Sequence, residues 1–180
     1  MNLLSLDFDG VIHPANDSIM ISFKDDMAPW QMEIALKAQK RFIWAPQLAA
    51  ILEGTDVAVV IHSTWRKRFS DATMKQFLPP AVASRLVNLD GQIENRETST
   101  ADDYLADVLR LIQPNSVCVL DDRPEFFAGG RVQQWMDSAC GRFIWTEPDV
   151  GLQSHYACGQ LTAWCHSGSC NTPAPAPSPS

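Results

Sequence analysis

The chain has 180 residues, 46% of them hydrophobic, enough for one substantial core and too few for two ordinary enzyme domains. Its 14 basic and 21 acidic side chains leave a net charge of -7, which disfavours the broad basic footprint that holds nucleic acid nonspecifically. No apolar run approaches the roughly 18 residues of a membrane span, and Met1 leads into Leu3-Leu4-Ser5-Leu6-Asp7 with no basic leader, so a soluble, cytoplasmic protein with five reduced cysteines is expected.

The first element is the apolar run Leu3 to Leu6, which ends in acidic residues and Gly10, the pattern of a buried strand that delivers side chains at its carboxyl end. The segment at about 17–42 is less patterned, with Lys24-Asp25-Asp26 as a turn and Trp30 to Ala38 as a helix, and reads as a small flap or minimal cap. Pro46 in a first turn, then Leu48, Ile51 and Leu52, with Gly54 as terminator, predict a helix that feeds a second strand. That strand, Val57 to Ile61, stops at His62-Ser63-Thr64.

Thr100 with Asp103 three residues on predicts the cap of another helix, whose apolar face carries Tyr104, Leu105, Val108, Leu109 and Ile112 before Pro114 ends it. It leads into the strand Val117 to Leu120, which stops at Asp121-Asp122. Arg142-Phe143-Ile144-Trp145-Thr146 reads as a last strand. The stretch 169–180, rich in Pro, Ala and Ser, reads as a disordered tail.

Helices alternating with continuous apolar strands predict an α/β fold over residues 1–168, a three-layer Rossmann-like parallel sheet covered on both faces. Such sheets bind ligands at the carboxyl ends of their strands, which places Asp7, Ser63 and Asp121 together. An isolated Asp-x-Asp is weak evidence, because acidic pairs cap helices and decorate turns everywhere. Here the pair ends a buried strand, precedes a glycine, and is matched at two further strand ends by Ser63-Thr64 and Asp121-Asp122.

In that order, Asp7-Phe8-Asp9-Gly10-Val11, Ser63 and Asp121-Asp122 resemble the first, second and fourth motifs of the haloacid dehalogenase (HAD) superfamily. The segments Trp44-Ala45-Pro46-Gln47-Leu48, His62-Ser63-Thr64-Trp65-Arg66, Leu120-Asp121-Asp122-Arg123 and Gly151-Leu152 further resemble the HAD domain of Swiss Army Knife RNA repair proteins, over roughly residues 3 to 165. The resemblance implies a phosphatase in which Asp7 attacks phosphorus to form an aspartyl-phosphate. Asp9 is then the general acid and base, a role worth about 10²–10⁴-fold in rate.

A carboxylate and a phosphate repel each other until a hard cation bridges them, so Mg²⁺ is the expected cofactor, with Asp7 and Asp121 as direct ligands. The resemblance adds the backbone carbonyl of Asp9, and places Asp122 as a ligand through water or as an orienting group. Ser63 and Thr64 are expected at the phosphoryl oxygens. For the cation that neutralises those oxygens Arg96 is chosen, with Arg66 and Lys67 as competitors, because no Lys precedes the fourth motif at the usual place.

His13 and His62 read as local structural residues, and the tryptophans as packing. His155, Cys158, Cys165, His166 and Cys170 lack the paired knuckles of a zinc site. Two functions follow: a phosphomonoesterase acting on a small phosphorylated molecule or a nucleic acid end, or a non-catalytic HAD-fold module that binds a phosphorylated ligand. Retention of both Asp7 and Asp9 favours the enzyme.

Overall fold

Four short apolar runs become strands: β1 (Asn2–Leu6), β2 (Ala58–Ile61), β3 (Ser116–Asp121) and β4 (Gly141–Trp145). A computed structural model describes residues 1–15, 31, 34–36, 41–138 and 140–167. All strand pairs are parallel, in the order β2-β1-β3-β4, so β1 sits between two strands that come much later in the chain. Parallel neighbours need crossovers, which run through the helices α1 (Ala45–Leu52), α2 (Asp71–Lys75), α3 (Pro80–Ala83), α4 (Ala101–Ile112) and α5 (Arg131–Ser138), while α6 (His155–Ser167) follows the last strand.

The strands are apolar on both faces because both faces are covered. Leu3, Val60, Val117 and Val119 pack with Tyr104, Leu105, Val108 and Leu109 of α4 and with Val132 and Met136 of α5. Leu4, Leu6, Val59, Ile61, Cys118 and Leu120 pack on the opposite face with Leu48 and Leu52 of α1 and Ala157 and Leu161 of α6. These are the three expected layers. Each side chain removed from water this completely contributes about 1.5–3 kcal/mol, so the two inner strands, β1 and β3, are firmly anchored.

The start of α4 matches its sequence signature. Thr100 caps it, its hydroxyl oxygen accepting the Asp103 N–H at 3.1 Å and its O–H donating to the Asp103 carboxylate at 2.9 Å. Gln113 then turns left-handed, with φ of 50°, ahead of Pro114. Ile112 is only half-buried, because it lies in the last turn where the helix leaves the sheet.

Four helices lie outside the sequence expectations. The short α2 and α3 fill the crossover between β2 and α4. In α5 the buried stripe is just Val132 and Met136, too thin to stand out among Gln133, Gln134 and Asp137. The helix α6 carries a glycine and the cysteine-rich stretch, which masks its periodicity.

The flap at 17–42 and the tail at 169–180 fall largely or wholly outside the described residues. Within the flap, 31 and 34–36 are helical and Leu36 is buried. Cys118, Cys158 and Cys165 are free, whereas Cys140 is disulfide-bonded, which corrects the expectation of five reduced thiols. No helix among the described residues is long and apolar enough to cross a membrane.

Candidate active site

The ladder of the sheet continues one residue beyond the ends of β1, β2 and β4. The N–H of Asp7 donates to the carbonyl of Leu120 at 3.0 Å, His62 donates to Leu6 at 3.1 Å, and Thr146 donates to Asp121 at 3.0 Å. This ladder brings the end of β1 beside the ends of β2 and β3 and so gathers Asp7, Ser63 and Asp121. One oxygen from each of Asp7, Asp121 and Asp122 lies within 4.8 Å of the others.

Packing these carboxylates together has an electrostatic cost. Burial, then the charges of Asp121 and Asp9, push the Asp7 carboxyl well above its usual range, against hydrogen bonds from Ser63 and the Phe8 backbone. Burial and Asp121 push Asp122 up to about 6. Hard oxygen donors that converge and repel one another suit a small divalent cation, so the donor set fits Mg²⁺. Asp7, Asp121 and Asp122 would hold it; the Asp9 side chain points elsewhere, into a set of donors of its own.

Gly10 makes the approach of Asp122 possible. Its φ is +70°, and a β-carbon there would lie 2.3 Å from Asp122 Oδ2. Thr146 pins the same turn by donating its hydroxyl to the Gly10 carbonyl at 2.8 Å. Glycine is required here both for backbone conformation and for space.

Asp9 accepts from three side chains. His13 Nε2 and Arg41 both donate to its Oδ1 at 3.0 Å, and the Trp65 indole N–H donates to Oδ2 at 3.0 Å. Burial raises the Asp9 pKa, but the His13 and Trp65 bonds and the Arg41 charge outweigh it and the net shift is downward. Burial and the Arg41 charge lower the His13 pKa, against the bond to Asp9 and its charge. The donors reach Asp9 from the turn after β1, from the residues before α1 and from the turn after β2. Phe8, Phe42 and Phe77 each pack edge-on against Trp65, and Phe42 and Phe77 stack on one another, so the indole is held in place.

Ser63 is buried and caps the single turn Thr64–Lys67, its oxygen accepting the Trp65 N–H at 3.4 Å. Thr64 opens that turn and is exposed. Among the three cations considered, Arg66 is buried and donates to the carbonyls of His62, Ser63, Ser99 and Thr100, tying the Ser63 turn to the start of α4. Lys67 is exposed.

Arg96 requires a correction. Its guanidinium bonds Asp71 at 2.9 and 2.6 Å and lies 3.3 Å from Asp90, and none of its hydrogen bonds among the described residues goes to Asp7, Asp9, Asp121 or Asp122. Asp71 also accepts the Leu89 N–H at 2.7 Å, so this pair staples α2 to the following loop. Among the described residues, Arg41 lies against Asp9 and Arg123 lies 4.0 Å from Asp122.

His62 and His13 also have more specific places than sequence suggests. His62 Nε2 bonds Asp121 Oδ2 at 2.7 Å and its Nδ1 meets the Ser5 hydroxyl at 2.7 Å. From sequence both read as local structural residues and Trp65 as packing; the signal that could have marked them is proximity to motif residues, His13 four positions after Asp9 and His62 and Trp65 on either side of Ser63. Arg41 had no such signal. His155, Cys158, Cys165 and His166 form no metal-holding group among the described residues.

No curated protein and no solved structure matches the chain. A family model described as "HAD domain in Swiss Army Knife RNA repair proteins" matches residues 3–157. That span runs from β1 into α6 and includes every residue of the site: the strand-end ladder, the Asp7–Asp121–Asp122 group, the Ser63 turn and the donors around Asp9. The order of those parts along the chain and the parallel sheet that assembles them agree with the match, and the chain belongs to the family of HAD domains found in Swiss Army Knife RNA repair proteins.

Proposed function

We propose that this protein is a Mg²⁺-dependent phosphomonoesterase that works through an aspartyl-phosphate on Asp7, with a small phosphorylated molecule or a phosphorylated nucleic acid end as substrate. Its family supports a phosphatase-type hydrolase in general terms. The observation that carries the finer reading is the convergence of Asp7, Asp121 and Asp122 within 4.8 Å, with Ser63 bonded to Asp7.

Asp7 attacks phosphorus while Ser63 offers its hydroxyl to a phosphoryl oxygen. When bound, Mg²⁺ supplies the positive charge that lets carboxylate and phosphate approach. Asp9 gives a proton to the leaving oxygen and then takes one from the water that hydrolyses the aspartyl-phosphate. Its three donors favour the carboxylate, the form that activates water. The incoming phosphate adds negative charge beside it and so raises its affinity for the proton that the first step needs.

The test is Mg²⁺-dependent phosphate release from an aryl phosphate, comparing wild type with Asp7→Asn. Turnover that is abolished in the variant, with an unchanged circular dichroism spectrum, supports the reading. A wild type inactive on a broad panel overturns it in favour of a phospho-ligand-binding module. Adding 3′- and 5′-phosphorylated oligonucleotides to the panel tests the RNA-end substrate that the family's description suggests.

A further inference from the structure

We infer that Ser5 and His62 are positioning residues for Asp121: a buried relay that fixes the orientation of the metal-facing carboxylate and makes the site selective for Mg²⁺. The inference rests on the proposed metal site and concerns two residues outside the acidic group.

The relay is set by the sheet. Ser5 lies on β1, paired with Val60 on one side and Val119 on the other. Ser5, His62 and Asp121 therefore share the face covered by α4 and α5, with His62 and Asp121 just past or at the ends of the flanking strands. The ring of His62 crosses the end of β1 between them.

The direction of the bonds follows from chemistry. A carboxylate only accepts, so His62 Nε2 carries the proton and donates to Asp121 Oδ2 at 2.7 Å. The other ring nitrogen, Nδ1, meets the Ser5 hydroxyl at 2.7 Å. All three groups are excluded from water, with exposures of 0% for Ser5, 1% for His62 and 2% for Asp121. Phe127 packs edge-on against the imidazole, ring centres 5.6 Å apart, and sets its plane.

The other oxygen of the same carboxylate is held as well, Oδ1 accepting the Arg123 N–H at 2.6 Å. Donors on both oxygens fix the carboxylate plane, so each oxygen keeps a defined direction for its remaining lone pair. Buried polar groups are ordinarily hydrogen-bonded, and a single bond would say no more than that. Two-sided restraint of a carboxylate whose neighbours are Asp7 and Asp122 goes further. Mg²⁺ demands near-ideal octahedral geometry, whereas Ca²⁺ tolerates irregular ligand directions, so a fixed carboxylate favours the smaller ion. Groups that orient metal ligands in this way typically change affinity by about 10–100-fold.

The experiment measures Mg²⁺ and Ca²⁺ affinity by calorimetry on the full-length, metal-free protein, with Mn²⁺ electron paramagnetic resonance in competition as a second readout. The variants are Ser5→Ala, His62→Gln, which retains an N–H donor, and His62→Leu, which does not. The expected result is a loss of about tenfold or more in Mg²⁺ affinity for His62→Leu, a smaller loss for Ser5→Ala, and recovery in His62→Gln. In His62→Leu and Ser5→Ala, Ca²⁺ affinity falls less than Mg²⁺ affinity.

Equal Mg²⁺ affinity in wild type and His62→Leu overturns the inference, as does a parallel loss of both ions. Should His62→Leu fail to fold, Ser5→Ala decides, and unchanged Mg²⁺ affinity and selectivity there overturn it. A wild type that binds neither ion removes the metal site itself and this inference with it. That outcome is distinct from a binding wild type whose variants behave alike.

Discussion

Trp65 donates its indole N–H to Asp9 Oδ2 at 3.0 Å, across 56 positions of sequence, while the rest of the ring is packed among Phe8, Phe42, Phe69 and Phe77. The side chain thus performs two separable tasks. Trp65→Phe keeps most of the packing and removes the donor, freeing one oxygen of Asp9, the carboxylate proposed for acid–base work. Turnover of an alkyl phosphate is expected to fall about tenfold, short of the roughly 10²–10⁴-fold that loss of acid–base catalysis costs, with a melting temperature lower by only a few degrees. Steady-state kinetics beside a thermal melt check this, and a large melting shift with unchanged kcat would contradict it.

The Arg96–Asp71 pair makes a contrasting prediction. Arg96→Met leaves Asp71 buried without its cation and is expected to lower unfolding free energy by about 3 kcal/mol. The KM for phosphate ester should not change in the folded fraction, because the guanidinium faces Asp71 and Asp90. Urea denaturation and steady-state kinetics on the same preparation separate the two effects. A raised KM at unchanged stability would restore Arg96 as a substrate ligand.

Gly10→Ala strikes the proposed metal group without replacing any of its carboxylates. The new methyl meets Asp122 Oδ2 at 2.3 Å and the backbone must hold φ at +70°. The conformational cost alone is about 1–2 kcal/mol. Displacement of Asp122 is expected to raise the Mg²⁺ concentration needed for half-maximal activity, read by titrating Mg²⁺ at saturating substrate, and a wild-type titration curve would refute the role given to this glycine.

Arg66→Lys tests the brace between the Ser63 turn and α4. Lysine keeps the charge but cannot bond four carbonyls at once, and the expected loss is about 2 kcal/mol of stability together with a lower kcat as Ser63 loosens. Chemical denaturation and kcat measured at saturating substrate check both parts.

Much of the framework was legible because it is local. Continuous apolar runs marked the strands, the Thr100–Asp103 spacing marked the start of α4, and strand-end chemistry marked Asp7, Ser63, Asp121 and Asp122. What escaped were partners joined through space. Arg41 meets Asp9 across 32 positions and His62 meets Asp121 across 59, distances over which periodicity carries no information. Arg96 misled for the related reason that its charge and place suggest a phosphate ligand, whereas Asp71, which neutralises it, lies 25 positions away.

The position of β1 between β2 and β3 has a temporal meaning. Asn2 at its start is bridged to Ser116 of β3, a separation of 114 residues. Asp7 is therefore made well before the neighbours that complete its surroundings, since Asp121 and Asp122 must be synthesised before the sheet can close around it. Pairings this distant in sequence slow folding. Until they form, Leu3, Leu4 and Leu6 lack the strands that flank β1, and the nascent chain carries an uncovered apolar segment there.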